Sequence, residues 1–256
     1  MKTERLHSID TIRGITMLSM ILYHFCWDLK YINGFDMTWY GTSSTFLWQQ
    51  SICWMFILIS GFCLHFSRNG LKNGAIVFLC GVVVSCATMI VIPEAPVHFG
   101  VLTLLGSSMI LVSLVKMFVN LKDTDGQWYV ILCAVLFGLT RHINAGIIGI
   151  GPFYTLLPKS LYSGGGADGM GMSFLTYLGF MQNGFYSSDY FSLMPWFFLF
   201  LTGYFLYFSA RNYLDKPVFK IKIPFFTWFG RHSLIVYMLH QVVLYVISMV
   251  IWQIQN

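Results

Sequence analysis

The chain has 256 residues, of which 57% are hydrophobic, 18% aromatic and only 10% charged. Soluble domains average about 25% charged residues, so this composition excludes an ordinary soluble globule, a disordered chain and a coiled coil. The formal charge of +5 comes from basic residues scattered between apolar runs, so we expect no nucleic-acid partner. The sequence predicts an integral membrane protein whose surroundings are the lipid bilayer.

Seven apolar runs are long enough to cross a hydrocarbon core, which needs roughly 20 residues of helix. They lie at residues 9–29, 46–66, 74–92, 99–119, 128–148, 193–208 and 233–252. The fifth run is the weakest, because Arg141, His142 and Asn144 interrupt it. The predicted fold class is all-α, a polytopic membrane bundle of about seven transmembrane helices that forms a single domain over residues 1–256.

Basic residues predict the orientation of these spans. With the N-terminus in the cytoplasm, the external segments hold only Lys30, Arg141 and Lys159, and Arg13 lies within the first span. The other eleven of the 15 Lys and Arg residues then fall in cytoplasmic segments, as the positive-inside rule requires. We expect a multi-pass protein of the cell membrane with a cytoplasmic N-terminus and an external C-terminus.

The longest external stretch, residues 149–192, carries two local signals. Residues 163–171 are rich in glycine and read as a flexible linker. Residues 174–181 form an apolar patch that is too short to span the membrane. We therefore predict a flexible loop that leads into a re-entrant or interfacial segment.

The six cysteines all fall inside apolar runs, and none forms a CxxC pair or stands at metal-ligand spacing. They are Cys26, Cys53, Cys63, Cys80, Cys86 and Cys133. This pattern predicts reduced cysteines that serve packing, without a disulfide framework. We expect no metal site.

The first span carries a stripe of ionisable residues, which are costly inside a membrane and therefore need a partner or a function. Asp10, Arg13, His24 and Asp28, with two methionines between them, are spaced by steps of three or four residues along one helix face. At 1.5 Å per residue, Asp10 and Asp28 lie roughly 27 Å apart along the helix axis. The stripe therefore runs almost across the membrane and must face protein or water.

His24 is the strongest catalytic candidate in this stripe. It lies well inside the span, and Asp28 follows one turn later, which is the spacing of a general base and its orienting carboxylate. A hydrogen-bonded packing role is the alternative for His24. Asp10 and Arg13 can form an ion pair within the helix, so a structural role stays open for them. We predict His24 and Asp28 as catalytic residues.

Residues 5–25, RLHSIDTIRGITMLSMILYHF, resemble the opening of bacterial relatives of the heparan-alpha-glucosaminide N-acetyltransferase catalytic domain. Arg13 and His24 are also similar to the Arg-x10-His motif of the acyltransferase family 3 membrane enzymes. Further similar segments follow in order along the chain: FILISGFCLHFSR, HFGVLTLLGSSMIL, LMPWFFLFLTGYFL and FGRHSLIVYMLHQ, at residues 56–68, 98–111, 193–206 and 229–241.

This resemblance implies a polytopic enzyme with an acyl-CoA donor, most simply acetyl-CoA, on the cytoplasmic side. The implied acceptor is a hydroxyl or amine of an extracytoplasmic sugar, in a glycan or glycoconjugate of the cell envelope. The motif carries over Arg13 and, as the family's catalytic histidine, His24.

Helix geometry separates the two motif residues. Arg13 and His24 differ by 11 positions, or roughly 16 Å along a regular helix, so they cannot both touch one reacting carbonyl. We expect Arg13, with Asp10, to bind the CoA end of the donor and His24 to accept a proton from the external acceptor. Direct attack on the thioester and a route through an acyl-histidine both stay open.

The last span supplies a second polar set. His240 lies within the membrane, and Tyr237 or Gln241 can share its face, so this helix can line an acyl tunnel opposite the first span. An interhelical hydrogen bond explains His240 equally well. Arg231, in the basic segment before this span, is a further candidate for the CoA phosphates, although the positive-inside rule predicts such charges anyway.

Three polar residues near the external ends of spans are candidate sugar ligands, namely Glu94, His98 and His142. The competing interpretation of the whole pattern is a small proton-coupled transporter or a non-enzymatic membrane subunit, because buried Asp, Arg and His residues also form proton relays. A homo-oligomer is compatible with the sequence, which does not identify the acceptor.

Overall fold

The computed structural model describes residues 6–119, 126–164 and 171–255. Within these ranges the chain forms nine α-helices and one β-hairpin. The helices are α1 (His7–Tyr31), α2 (Ser43–Cys63), α3 (Gly70–Val91), α4 (Val101–Phe118), α5 (Gly126–Thr140), α6 (Phe174–Leu178), α7 (Leu193–Ala210), α8 (Pro224–Arg231) and α9 (Ser233–Gln255). The hairpin consists of β1 (Ile147–Ile150) and β2 (Phe153–Leu156).

Six helical segments are long and apolar enough to cross a membrane, judged by length and composition alone. They are Ser43–Phe66, Gly70–Val91, Val101–Phe118, Gly126–Ala145, Leu193–Tyr213 and Ser233–Ile254. This confirms an α-helical polytopic membrane protein. The predicted first span forms the 25-residue helix α1 but is not among the six. The polar stripe of α1 makes the mean hydropathy of this helix lower than that of the other predicted spans.

The predicted fifth span, residues 128–148, is only partly helical. Helix α5 ends at Thr140, and β1 and β2 then pair as an antiparallel hairpin with Ile147 opposite Leu156. Gly146, just before β1, adopts a left-handed φ of +78°. This backbone conformation prevents helix from resuming there, so the β-branched residues that follow can pair as a strand. The prediction that helix continues to residue 148 was wrong.

The predicted interfacial patch, residues 174–181, is helical only over Phe174–Leu178. Gly179, at φ +128°, ends this short helix in a conformation that side chains rarely adopt. Of the predicted glycine-rich linker, residues 165–170 lie outside the described residues.

The chain forms two compact units. Unit 1 comprises Met1–Ile59 and Arg211–Asn256, and it contains α1, α8, α9 and most of α2. In unit 1, α1 and α8 approach so closely that a Cβ on Gly14 would lie 1.8 Å from the carbonyl oxygen of Phe226. A Cβ on Gly230 would lie equally close, at 1.8 Å, to the carbonyl oxygen of Asp10. Backbone contact at both positions explains why only glycine fits there.

Helices α1 and α9 run parallel within unit 1. Asp10 lies beside Gly230, just before α9, whereas Asp28 contacts Gln241 and Asn33 contacts Ser248 further along. Residues further along α1 thus contact residues further along α9, as in two parallel helices. The apolar contact between them is built on buried Met17 and Met20, against which Val236 and Tyr237 pack.

Unit 2 comprises Ser60–Ala210. Glycines bring α3 and α4 together, since a Cβ on Gly81 would lie 2.7 Å from the backbone nitrogen of Thr103 and one on Gly106 would lie 2.4 Å from that of Phe78. Small residues at such positions are typical of helices that pack in membranes. Helix α7 also packs against α4 and α5, and it holds the fully buried ring of Phe200.

Candidate functional site

The N-terminal end of α1 meets the end of α8 in a charged cluster, here called the arginine cluster, of His7, Asp10, Arg13 and Arg231. Arg231 Nε lies 3.5 Å from Asp10 Oδ2, and Arg13 Nη1 lies 3.9 Å from Asp10 Oδ1. Arg231 Nη2 also lies 3.1 Å from Nδ1 of His7. The predicted ion pair between Asp10 and Arg13 is therefore present, and Arg231 joins it. Among the described residues, two guanidinium groups approach one buried carboxylate, so the four side chains of the cluster together carry net positive charge.

Further along the same two helices, His24 on α1 and His240 on α9 place their rings in contact. The ring centroids lie 5.1 Å apart at an interplanar angle of 59°. The residues are separated by more than 200 positions in sequence, and the parallel packing of α1 and α9 brings them together. We call these two residues the histidine pair.

The structure indicates which nitrogen of His240 carries hydrogen. Nδ1 lies 2.5 Å from the backbone carbonyl oxygen of Tyr237. A carbonyl oxygen only accepts hydrogen bonds, so Nδ1 is the donor and the neutral ring holds its lone pair on Nε2. Nε2 is buried and has no hydrogen-bond partner among the described residues. His240 therefore presents a free basic nitrogen beside His24.

Asp28 is fully buried and pairs with α9 rather than with His24. Its Oδ1 accepts a hydrogen bond of 3.1 Å from Nε2 of Gln241, and the hydroxyl of Ser248 also interacts with this carboxylate. In the described residues, the structure places no hydrogen bond between Asp28 and His24, although they lie one turn apart. Sequence reasoning expected this carboxylate to orient His24; in the fold it is Gln241 that holds it.

Several unpartnered polar atoms surround Asp28. Asn33 donates from Nδ2 to the carbonyl oxygen of Ser248 at 2.8 Å, while its Oδ1 has no partner among the residues described. Oε1 of Gln241 likewise has no partner among these residues. Burying polar atoms without hydrogen bonds is unfavourable, so native proteins usually reserve such groups for water, ligands or chemistry. This part of unit 1 is thus a polar site within an apolar helix pair.

Aromatic side chains enclose the histidine pair on the α1 side. The ring of Tyr23 packs edge to face against His24, with centroids 5.9 Å apart, and contacts Trp48 of α2. The indole of Trp48 donates to the hydroxyl of Ser19 at 2.8 Å. The Tyr40 hydroxyl donates to the carbonyl oxygen of Tyr23, and burial raises the pKa of Tyr40 well above its usual range. Tyr40 therefore stays protonated as a fixed donor.

The predicted sugar ligands lie in unit 2 and have different environments. His98 is buried, and burial lowers the pKa of its imidazole. Glu94 and His142 are both exposed. In the described residues, no hydrogen bond or ion pair joins these three side chains. Their role as sugar ligands stays a prediction.

Asp189 is a residue that sequence reasoning missed. Its carboxylate accepts a hydrogen bond from the backbone N–H of Val101, the first residue of α4. Its own backbone N–H donates to the hydroxyl of Ser187, which in turn donates to the carbonyl oxygen of His98 at 3.0 Å. Burial raises the pKa of Asp189 to about 6. In the sequence, only the polar residues next to Asp189 indicated a polar site. Its hydrogen-bond partner Val101 lies 88 positions earlier in the chain.

Backbone strain occurs in this same part of unit 2. Phe99 adopts a φ of +55°, a conformation that non-glycine residues rarely take. Its ring contacts Tyr177 and Phe185, and its carbonyl oxygen accepts from the backbone N–H of Phe191 at 2.8 Å. Pairing between these two stretches holds the strained residue in place.

No group of three His, Cys, Asp or Glu side chains suited to a metal ion occurs in residues 6–119, 126–164 and 171–255. No curated protein and no solved structure gives a significant match to the chain. Residues 5–242 match the family model described as heparan-alpha-glucosaminide N-acetyltransferase, catalytic. That match covers most of the chain and includes both the arginine cluster and the histidine pair, and it shows that the chain belongs to this family of transmembrane acetyltransferases.

Proposed function

We propose that the protein transfers an acyl group, most simply acetyl, from acyl-CoA to a hydroxyl or amine of an extracytoplasmic sugar. The observation that carries this proposal is the arrangement of α1. One end of this helix contributes three residues to a positive arginine cluster, and the other carries His24 beside a second imidazole and unpartnered polar atoms. The family membership supports acetyl transfer as the reaction.

The arginine cluster is the proposed donor end. Arg13 and Arg231 each approach Asp10, whose single charge cannot neutralise both guanidinium groups. Guanidinium groups bind phosphate through paired, charge-assisted hydrogen bonds. The nucleotide phosphates of CoA supply the negative charge that this cluster lacks, and Asp10 holds the two arginines in place. Tyr237, which packs against the core between α1 and α9, is the proposed contact for the acyl arm.

The histidine pair is the proposed chemical end. His24 accepts the proton of the acceptor hydroxyl or amine, and the acceptor atom forms a bond to the thioester carbonyl carbon. The carbon–sulfur bond then breaks, and the CoA thiolate takes up the proton. Roughly 16 Å of helix separate Arg13 from His24, which the extended pantetheine arm of CoA is suited to bridge.

We propose a cytoplasmic arginine cluster and a histidine pair towards the opposite face of the cell membrane. Helix α9 is a candidate membrane span, and α1 packs parallel to it. This packing supports the proposal that α1 also crosses the membrane, in the same direction as α9. A seventh crossing gives termini on opposite sides, with most basic residues in the cytoplasm. The sugar would then reach the histidine pair from outside. Glu94, His98 and His142 of unit 2 stay proposed sugar ligands.

Binding of acetyl-CoA to the purified protein in lipid nanodiscs tests the donor end. We expect Arg13→Gln and Arg231→Gln to weaken binding at least about tenfold and His24→Gln to retain it, because only the arginines contact the phosphates. Arg68→Gln is the matched control, since Arg68 is an exposed arginine outside the cluster. Unchanged binding in both cluster variants would contradict the assigned donor end.

Transfer itself is tested with acetyl-CoA and the probe acceptors glucosamine, N-acetylglucosamine and glucose, with acetylated product measured by mass spectrometry. We expect product with the native chain and a loss of at least about 100-fold in His24→Gln. If the native chain binds no acyl-CoA, the enzyme proposal fails, and proton-coupled transport by the same buried residues becomes the better explanation.

A further inference from the structure

We infer that His240 acts through His24 as a proton relay, whose Nε2 receives a proton from His24 while the acceptor is activated. This inference rests on the proposed acyl transfer and deepens it, since neither the motif nor the family match assigns a proton-transfer role to His240. It follows from the hydrogen bonding of His240, from its contact with His24 and from the groups that surround the pair.

A hydrogen bond at Nδ1 fixes the tautomer of His240. Its Nδ1–H donates to the carbonyl oxygen of Tyr237, so the ring can accept a proton only at Nε2. A backbone carbonyl at Nδ1 is the usual device that fixes the orientation of a catalytic or metal-bound imidazole and raises its basicity. The same carbonyl stabilises the positive charge that appears when Nε2 is protonated.

The free nitrogen of His240 lies beside the motif histidine. The rings are in contact at 5.1 Å between centroids, and Nε2 has no other partner among the described residues. Among the described residues, the titratable side chains whose rings contact the pair are Tyr23 on α1 and Tyr237 on α9, and Asp28 follows His24 by one turn of α1. Two adjacent imidazoles readily share one proton but repel when both carry one. The pair is therefore suited to a single transferred proton.

The proton transfer balances as follows. The acceptor hydroxyl gives its proton to the unprotonated nitrogen of His24, while the proton on the other nitrogen of His24 passes to Nε2 of His240. The acceptor oxygen bonds to the thioester carbonyl carbon and the carbon–sulfur bond breaks. The CoA thiolate then takes a proton back through the same two rings, which restores both neutral imidazoles and releases CoA as its thiol.

A second histidine of the same region provides a matched control. Nδ1 of His232 lies 2.9 Å from the carbonyl oxygen of Trp228, so its ring is held by its own helix as His240 is. His232 is exposed, and among the described residues its ring contacts Trp228 rather than another imidazole. It thus shares the backbone hydrogen bond of His240 but not the contact with His24.

Steady-state kinetics with acetyl-CoA and the best probe acceptor test the inference. We expect His240→Gln to lower kcat at least about 100-fold with little change in the KM for acetyl-CoA, whereas His232→Gln keeps the native kcat. In mixtures of light and heavy water, the native rate should depend on two exchanging protons and the residual rate of His240→Gln on one. Native kcat in His240→Gln would overturn the inference while leaving the proposed function standing.

Nitrogen NMR of the histidine-labelled protein in nanodiscs adds a readout that does not depend on activity. The signals of His240 are assigned by their loss in His240→Gln or, if that variant does not fold, in His240→Asn. We expect hydrogen on Nδ1 and a bare Nε2. Hydrogen on Nε2 in the resting protein would overturn the inference, and absence of any transfer by the native chain would overturn the proposed function beneath it.

Discussion

Two half-buried histidines in this protein differ in the hydrogen bonding of their ring nitrogens. His65, in unit 2, has its ring stacked between Tyr204 and Tyr207 at centroid distances of 4.2 Å and 4.0 Å, and its Nε2 lies 3.0 Å from the carbonyl oxygen of Tyr204. His240, in unit 1, has one nitrogen bonded and the other buried without a partner among the described residues.

On the proposed function, this difference separates a packing histidine from the proposed reactive one. Both of these histidines lie within membrane-spanning helices, and each bonds one backbone carbonyl. In His65, aromatic rings cover both faces and fix the imidazole. In His240, the ring contacts a second imidazole, and its Nε2 has no hydrogen-bond partner among the described residues. Burial in a membrane helix is thus a poor guide to function, and the partner of each nitrogen is a better one.

The sharpest test of this comparison replaces one histidine of the histidine pair, His24, and the packing histidine, His65, in separate variants. We expect His24→Gln to lower the acyl-transfer rate about 10²–10⁴-fold, because a positioned base contributes that much. His65→Gln should keep kcat and instead lower the stability of the protein by about 1–3 kcal/mol, since two stacked ring pairs are lost. Product formation and thermal unfolding, measured on the same preparations, separate the two effects. A catalytic loss in folded His65→Gln would break the distinction.

The second prediction concerns the helix contact that supports the histidine side of the comparison. Gly14→Ala puts a methyl group against the carbonyl of Phe226, so α1 and α8 must separate, and we expect a loss of about 1–3 kcal/mol in stability together with reduced activity. Thermal unfolding in nanodiscs measures this. Gly138→Ala is the control, because its new methyl group would meet only the flexible side-chain end of Ile150 at 3.3 Å. Equal melting of both variants would contradict the tight contact.

The third prediction distinguishes the observed partner of Asp28 from the one that sequence spacing indicates. Since Asp28 is bonded to Gln241 rather than to His24, Asp28→Asn should lower kcat by less than about tenfold. A carboxylate that orients a catalytic histidine costs far more when it is replaced, about 10⁴-fold in serine proteases. The kcat of Asp28→Asn, compared with that of His24→Gln, decides between the two. A loss as large as that of His24→Gln would favour the role expected from sequence.

The smallest effect is expected at Asp189 in unit 2. Burial raises its folded-state pKa to about 6, above the ordinary value of 3.8, so as pH rises from 4 to 6 the unfolded chain loses its proton first and the folded state loses stability. Asp189→Asn lacks this penalty and should melt a few degrees higher than the native chain at pH 7.5 but equally at pH 4. Asp36→Asn, at an exposed loop aspartate, should show no such pH-dependent difference.

Much of the architecture was predictable because helix formation in a membrane depends on local composition. Runs of apolar residues located all six candidate spans, and steps of three and four residues placed Asp10, Arg13, His24 and Asp28 on one face of α1. The hairpin after α5 was not predicted, since Ile147–Ile150 is as apolar as the helix before it. Its strand geometry depends on glycines with positive φ and on pairing with Phe153–Leu156.

The sequence by itself determined a helical membrane protein, a charged stripe on α1 and the motif residues of an acetyltransferase family, because these depend on composition and local spacing. Only the tertiary structure decided that Asp28 bonds to Gln241, that His24 meets His240 and that Arg231 joins Asp10. Each of these contacts joins residues more than 200 positions apart. They exist because glycines let α1 and α8 touch and because α9 then runs parallel to α1, which no local pattern specifies.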